Sequence, residues 1–153
     1  MTRFNALNQR FPELSRFARF GLVGASGFVV DVSVSWIAQA ALVAAGLGSA
    51  AQWGAHGLGI YIAMTWNFFL NRRVTFPDAR QASLVAQYTG FCASCSVGAV
   101  ISYAVRTSLC TLIEFFAQYI IAAVPIGVLA GMTFNYVLCR RFVFKVGDEK
   151  AEE

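Results

Sequence analysis

Four long apolar runs dominate the chain. Phe20–Leu47 is interrupted only by Asp31, and Ala50–Leu70, Leu84–Val105 and Phe115–Cys139 follow it without a charge. A helix needs about 20 apolar residues to cross a hydrocarbon core of roughly 30 Å, so the pattern predicts four transmembrane helices in an all-α membrane protein. Ahead of the first run, Phe4, Leu7, Phe11, Leu14 and Phe17 recur at helical spacing, with Arg3, Arg10, Arg16 and Arg19 between them. Residues 1–19 therefore read as an amphipathic helix in the membrane interface, its basic face on anionic headgroups. Pro12 suits the first turn of a helix and is expected to start a fresh helical stretch there. The polar tail Gly147–Glu153 is expected to fray.

Composition agrees with a lipid solvent. The chain is 58% hydrophobic and only 13% charged, with a mean hydropathy of +0.59, against about 45–50% and about 25% for soluble domains. The first run is not expected to be a cleaved signal peptide. It begins only after Arg19, carries Asp31, and exceeds the roughly 7–15 apolar residues of such a segment. The polar stretches are too short for a soluble domain, so any chemistry must sit in or beside the bilayer.

Orientation follows from the basic residues. Of the 12 Lys and Arg, all but Arg106 lie before the first run, between the second and third, or after the fourth. Four spans put that whole group on one side, and the positive-inside rule makes it the cytoplasmic side, with both termini there. His56 and Arg106 then face outward.

An internal repeat is visible without gaps. Met64-Thr65-Trp66-Asn67-Phe68-Phe69-Leu70-Asn71-Arg72-Arg73-Val74-Thr75-Phe76 lies over Met132-Thr133-Phe134-Asn135-Tyr136-Val137-Leu138-Cys139-Arg140-Arg141-Phe142-Val143-Phe144, and the same offset places Gly59 over Gly127. Shared lipid-facing composition explains matched Leu and Val, but not Asn followed at a fixed distance by Arg-Arg. The organisation expected is a first two-helix repeat at 20–76, a cytoplasmic linker at 77–87, a second repeat at 88–145 and a tail at 146–153. Two parallel repeats imply a pseudo-two-fold axis along the membrane normal.

Few residues can carry chemistry. Asp31 lies about 16 Å from the helix start near Phe20, and an ionised carboxylate at such depth costs several kcal/mol unless paired, hydrated or protonated. It reads either as a polar step on a substrate path or as an acid hydrogen-bonded to a nearby serine or carbonyl. Asn67 and Asn135 sit roughly 7–8 Å inside the membrane from Arg72 and Arg140. They read as interhelical glue, with Thr65 and Thr133 nearby, or as amides on a polar groove that meets a headgroup sugar. The pairs Arg72-Arg73 and Arg140-Arg141 mark the helix exits. Guanidinium forks match phosphate oxygens, so they read as a lipid-phosphate site or as topology anchors.

Other motifs point away from catalysis. No GxxxxGK[ST] phosphate loop is present, His56 lacks companions for a metal site, and no nucleophile–base pair can be assembled. Cys92-Ala-Ser-Cys95 has redox spacing but lies inside an apolar run, where small residues for close helix packing are the simpler reading. No disulfide, metal, cofactor or nucleic-acid partner is expected, and the chain does not read as an enzyme.

Arg19-Phe20-Gly21-Leu22-Val23-Gly24, Asp31, and Asn67-Phe68-Phe69-Leu70-Asn71-Arg72-Arg73-Val74-Thr75-Phe76 together resemble the GtrA-like family, and Phe142-Val143-Phe144 after Arg140-Arg141 resembles the close of its second half. The likeness covers roughly Arg16 to Lys145. Cys139 departs from it, standing where the second copy should repeat Asn71. The resemblance implies a translocase, a flippase for a polyprenyl-phosphate-linked monosaccharide in the bacterial cytoplasmic membrane, serving cell-surface polysaccharide synthesis. It further implies that Arg72, Arg73, Arg140 and Arg141 meet the phosphate, and that Asp31, Asn67 and Asn135 line the headgroup path. Alternatives are a proton-coupled exporter of small cations and a non-transporting subunit that docks a glycosyltransferase. Four helices enclose little polar volume, so a homo-oligomer or a groove open to membrane lipids is expected.

Overall fold

The computed structural model describes residues 11–47, 50–81 and 83–144. Within these the structure is helical: α1 (Pro12–Ala44), α2 (Ala50–Leu70), α3 (Leu84–Leu112), a short α4 (Glu114–Gln118) and α5 (Ile120–Leu138). Two compact units divide the chain, Met1–Pro77 and Asp78–Glu153. The first pairs α1 with α2, and the second pairs α3 with α5.

Among the described residues, three helices are long and apolar enough to cross a membrane: Pro12–Ala44, Leu84–Leu112, and α5 with its continuation to Val143. The chain is thus a membrane protein of several apolar helices. α2, 21 residues long and uncharged but carrying Gln52, His56 and Asn67, is not among these three.

Helix boundaries depart from the apolar runs in three places. The first span starts at Pro12, which occupies the first turn of α1, so Pro12 to Arg19 belong to the spanning helix rather than to a separate interfacial one. No break separates them because Arg16 and Arg19 are good helix formers, and the i,i+3 pair Glu13–Arg16, 3.8 Å apart, supports the same turn. Residues 1–10 of the expected amphipathic segment, and the 146–153 tail, lie outside the described residues. α3 starts with its run at Leu84 but carries on seven residues past Val105, through Arg106 to Leu112. The fourth run is two helices, interrupted at Tyr119 (φ −118°, ψ 68°).

The end of α1 shows its cause directly. Gly46 adopts φ +83°, with its N–H bonded to Val43 O and that of Leu47 to Leu42 O. This is a Schellman cap, in which a left-handed glycine satisfies the last carbonyls.

Both helix pairs pack along i,i+4 ridges, the rows that interdigitate most often between helices. In α1 the buried row includes Phe20, Val23, Gly27 and Ser35; in α2 it is Ala51, Ala55, Gly59 and Ala63. In α5 it is Ala123, Gly127 and Gly131, facing Phe91, Ser94 and Gly98 of α3. Small side chains let the backbones approach, the usual basis of helix association in lipid. The contact is closest at Gly98 and Gly131, where a Cβ on either would run into the carbonyl oxygen of the other.

α2 and α5 each end in a π-helical turn, Asn71–Thr75 and Cys139–Val143. Each is closed by an N–H that reaches five residues back: Phe76 to Asn71 O at 2.8 Å, and Phe144 to Cys139 O at 2.7 Å. The wider turn swings an aromatic ring into its own helix pair. Phe76 is fully buried and meets Phe20 edge-on at 6.3 Å; Phe144 lies 6.4 Å from Phe91. The Arg-Arg pairs ride on these turns.

Candidate functional site

In the first unit, the predicted residues fall along the seam of α1 and α2. Arg19 opens it, its Nε donating to Ser15 O and its Nη1 to Val74 O, both at 3.3 Å. Further in, the Trp66 indole N–H donates to the Ser26 hydroxyl at 3.1 Å. One residue along each helix, Asn67 lies against Gly27, so tightly that a Cβ on the glycine would strike its Oδ1, Nδ2 and Cγ. The Asn67 Oδ1 is buried and meets no hydrogen-bond donor among the described residues. One turn deeper on the same face of α1, half-buried Asp31 accepts a hydrogen bond at 3.2 Å from buried Ser35. Gly59 of α2 makes room for both: a Cβ there would meet the Ser35 hydroxyl and Asp31 Oδ1.

The second unit repeats part of this plan with different chemistry. Asn135 donates from Nδ2 to Cys95 Sγ at 3.5 Å and accepts from the Cys139 thiol at 3.4 Å. Cys95 stands at the repeat position of Gly27, so each asparagine addresses the same place on the neighbouring helix. The difference lies in satisfaction: among the described residues the Asn135 oxygen has a donor, and that of Asn67 has none.

The departure at Cys139 now has a physical reason. Asn71 is buried, and its Oδ1 accepts from the Thr75 hydroxyl at 2.8 Å, also buried. In the second unit those two positions are Cys139 and Val143, both buried. The polar pair has been exchanged as a pair, which leaves the Cys139 thiol for Asn135. Asn71 is thus a structural residue that holds the first π turn.

Thr65 and Thr133 do not act as expected. Their hydroxyls donate along their own helices, to Tyr61 O at 2.9 Å and Leu129 O at 2.7 Å, the bond that mid-helix threonines commonly make. Of the basic pairs, Arg72 and Arg140 are half-buried while Arg73 and Arg141 are exposed. The Cys92–Cys95 segment holds no disulfide, and all four cysteines are free thiols.

Sequence reasoning anticipated a serine beside Asp31, which is Ser35, but missed Gly27 and Gly59 as parts of the site. Ser35 had a usable signal, a hydroxyl one turn from a carboxylate in an apolar run. The glycines had none, because only the opposing helix shows what stands against them. An apolar groove of about 290 Å³ along α3, lined by Ala104, Val105, Ser108, Leu109, Leu112 and Ile113, contains none of the predicted residues.

Comparison with curated proteins gives no match. The family profile described as GtrA/DPMS, transmembrane domain, matches residues 19–144, a stretch that begins at Arg19 and ends at Phe144, the two limits of the geometry described above. The chain belongs to the GtrA/DPMS transmembrane-domain family.

Proposed function

We propose that this protein translocates a polyprenyl-phosphate-linked monosaccharide across a bacterial cytoplasmic membrane, supplying a polysaccharide glycosylation on the outer side. The observation that carries the reading is the buried, unsatisfied Oδ1 of Asn67. A buried carbonyl oxygen without a donor costs about 1–3 kcal/mol, and a sugar hydroxyl passing the seam supplies that donor. Family membership supports the same substrate class.

In this reading α2 is a fourth span, the two units are a duplicated helix pair, and both termini face the cytoplasm, which keeps the basic segments on one side. Arg72, Arg73, Arg140 and Arg141 hold the lipid phosphate at the cytoplasmic interface through guanidinium forks. The sugar moves inward past the asparagine of a unit, Asn67 with Asp31 beyond it in the first and Asn135 in the second, while the lipid tail stays in the bilayer. Alanine and glycine close both seams, so the headgroup travels along their lipid-facing edge or between copies of the chain. No residue is assigned a catalytic role, and outward movement is driven by consumption of the sugar on the far side.

The test is a flipping assay in liposomes, with purified protein and a labelled short-chain polyprenyl-phosphate sugar. Wild type is expected to accelerate exchange between leaflets, and Arg72→Gln and Arg140→Gln to lower the rate while still inserting. Arg→Lys at either place should also reduce it, because an ammonium keeps the charge but loses the fork. Absence of flipping by the wild type would overturn the reading in favour of a subunit that docks a glycosyltransferase.

A further inference from the structure

The α3–α5 seam holds a polar pair that the proposed path does not use. Ser102 and Arg106 stand one turn apart on the same face of α3, both against Gly127 of α5. A Cβ at Gly127 would lie 2.7 Å from Ser102 O, 3.3 Å from Arg106 Cβ and 3.4 Å from the Ser102 hydroxyl. The missing side chain thus leaves space where the two polar groups begin.

Neither group is satisfied from within. The Arg106 guanidinium, half-buried, lies 5.6 Å from the centroid of the Tyr103 ring. Among the described residues it makes no ion pair and donates no hydrogen bond, and neither does the Ser102 hydroxyl. Ser102 shares this with Thr107 and Ser108 of the same helix, whereas Thr89, Ser94, Ser96 and Thr111 each donate to their own backbone. Gly90 of α3 lies against Val143, and Arg106 stands about 24 Å along the axis from Gly90. On α5, Gly127 is about 20 Å from Arg140. This cation is therefore at the opposite end of the helix pair from Arg140-Arg141.

We infer that Ser102 and Arg106 form a phosphate-ester site for a lipid headgroup at the end of the α3–α5 pair opposite Arg140-Arg141. A guanidinium fork takes the two non-bridging oxygens of a phosphate diester, the hydroxyl one turn below donates a further hydrogen bond to one of them, and the low dielectric of the bilayer strengthens each bond. Naming this end the outer one rests on the proposed four-span orientation, in which the site receives the phosphate after crossing. The first unit has no counterpart, since the repeat positions of Ser102 and Arg106 are Val34 and Ala38. One such site per chain is expected.

The experiment uses purified full-length protein in phosphatidylcholine nanodiscs, titrated with a short-chain isoprenyl-phosphate sugar and read by calorimetry and native mass spectrometry. An Arg72→Gln/Arg140→Gln double variant should keep one bound probe per chain. Adding Arg106→Gln should weaken that remaining binding at least tenfold, and adding Ser102→Ala instead should weaken it a few-fold. Thermal unfolding in detergent checks that each variant is folded. Unchanged affinity on adding Arg106→Gln to the double variant would overturn the site, as would equal affinity in Ser102→Ala if Arg106→Gln fails to fold. Phosphatidylglycerol that competes for the Arg106-dependent site identifies a bulk phospholipid as occupant, and lack of competition identifies the isoprenoid carrier; both keep the phosphate site. Arg106-dependent binding without flipping by the wild type would sink the translocase reading alone, and flipping without Arg106-dependent binding would sink this one alone.

Discussion

Asn67 rests on Gly27 so closely that one methyl group on the glycine would collide with the amide. The glycine is what admits the amide to this close-packed seam. Gly27→Ala is therefore expected to destabilise the first unit by about 1–3 kcal/mol, the usual cost of overpacking, or to expel the amide from the seam. Gly24→Ala is the control, since nothing lies within 4 Å of a Cβ at Gly24. Unfolding in detergent should separate the two; equal loss in both would mean that glycine flexibility, not Asn67, sets the effect.

The two asparagines should diverge on mutation. Asn67→Ala removes an oxygen that nothing among the described residues satisfies, so transport should fall by roughly tenfold, the worth of one hydrogen bond of about 1.4 kcal/mol, with little change in stability. Asn135→Ala breaks contacts with Cys95 and Cys139 and should show mainly as lowered stability. Flipping rates set beside unfolding midpoints for both variants check this, and a reversed pattern would place the sugar contact on Asn135.

Asn71 and Thr75 should behave as a coupled pair. Asn71→Cys and Thr75→Val each leave a buried partner unsatisfied, at about 1–3 kcal/mol. The double variant, which restores the combination present at Cys139 and Val143, should cost less than the sum of the two. A double-mutant cycle on unfolding free energy reads the coupling, expected at about 1 kcal/mol or more.

Asp31 separates a proton-linked mechanism from a passive one. Its partner Ser35 donates to it, and an asparagine oxygen accepts that bond as well, so Asp31→Asn should fold normally. Transport in this variant should be reduced, with the same indifference to an imposed pH gradient as the wild type. Loss of a gradient response that the wild type possesses would show obligatory proton coupling instead. Asp31→Leu, which strands the Ser35 hydroxyl, should lose more stability and most of the transport.

Topology can be read by single-cysteine labelling in a background without the four native thiols. Cysteine at Asp78 is expected to react only from the cytoplasmic side, and cysteine at His56 or Arg106 from the outer side. Outside-only labelling at Asp78 would remove the four-span arrangement and, with it, the assignment of α2 as a span.

Much of this protein was legible in order along the chain, because a lipid solvent imposes simple one-dimensional rules. Apolar length marks helices, and Asn67 with Arg72-Arg73 recurs in the sequence as Asn135 with Arg140-Arg141. The sequence also singled out Asp31, since an isolated carboxylate in an apolar run conflicts with its solvent whatever the fold. Continuity was harder to read. The first helix reaches back to Pro12, and the fourth run breaks at Tyr119, because helix propensity and local backbone geometry do not follow hydropathy.

What only the tertiary structure decided is which polar group is satisfied. Asn67 and Asn135 occupy matched positions in matched motifs, yet one oxygen is orphaned and the other is not. The cause lies one turn away, where Asn71 is engaged by Thr75 while Cys139 remains available. Likewise, Gly59 and Gly127 align in sequence, but one faces Asp31 and Ser35 and the other Ser102 and Arg106. Spacing along a helix determines which residues share a face. Whether a donor meets an acceptor depends on what the opposing helix presents within about 3 Å, and that is set only when the two helices pack.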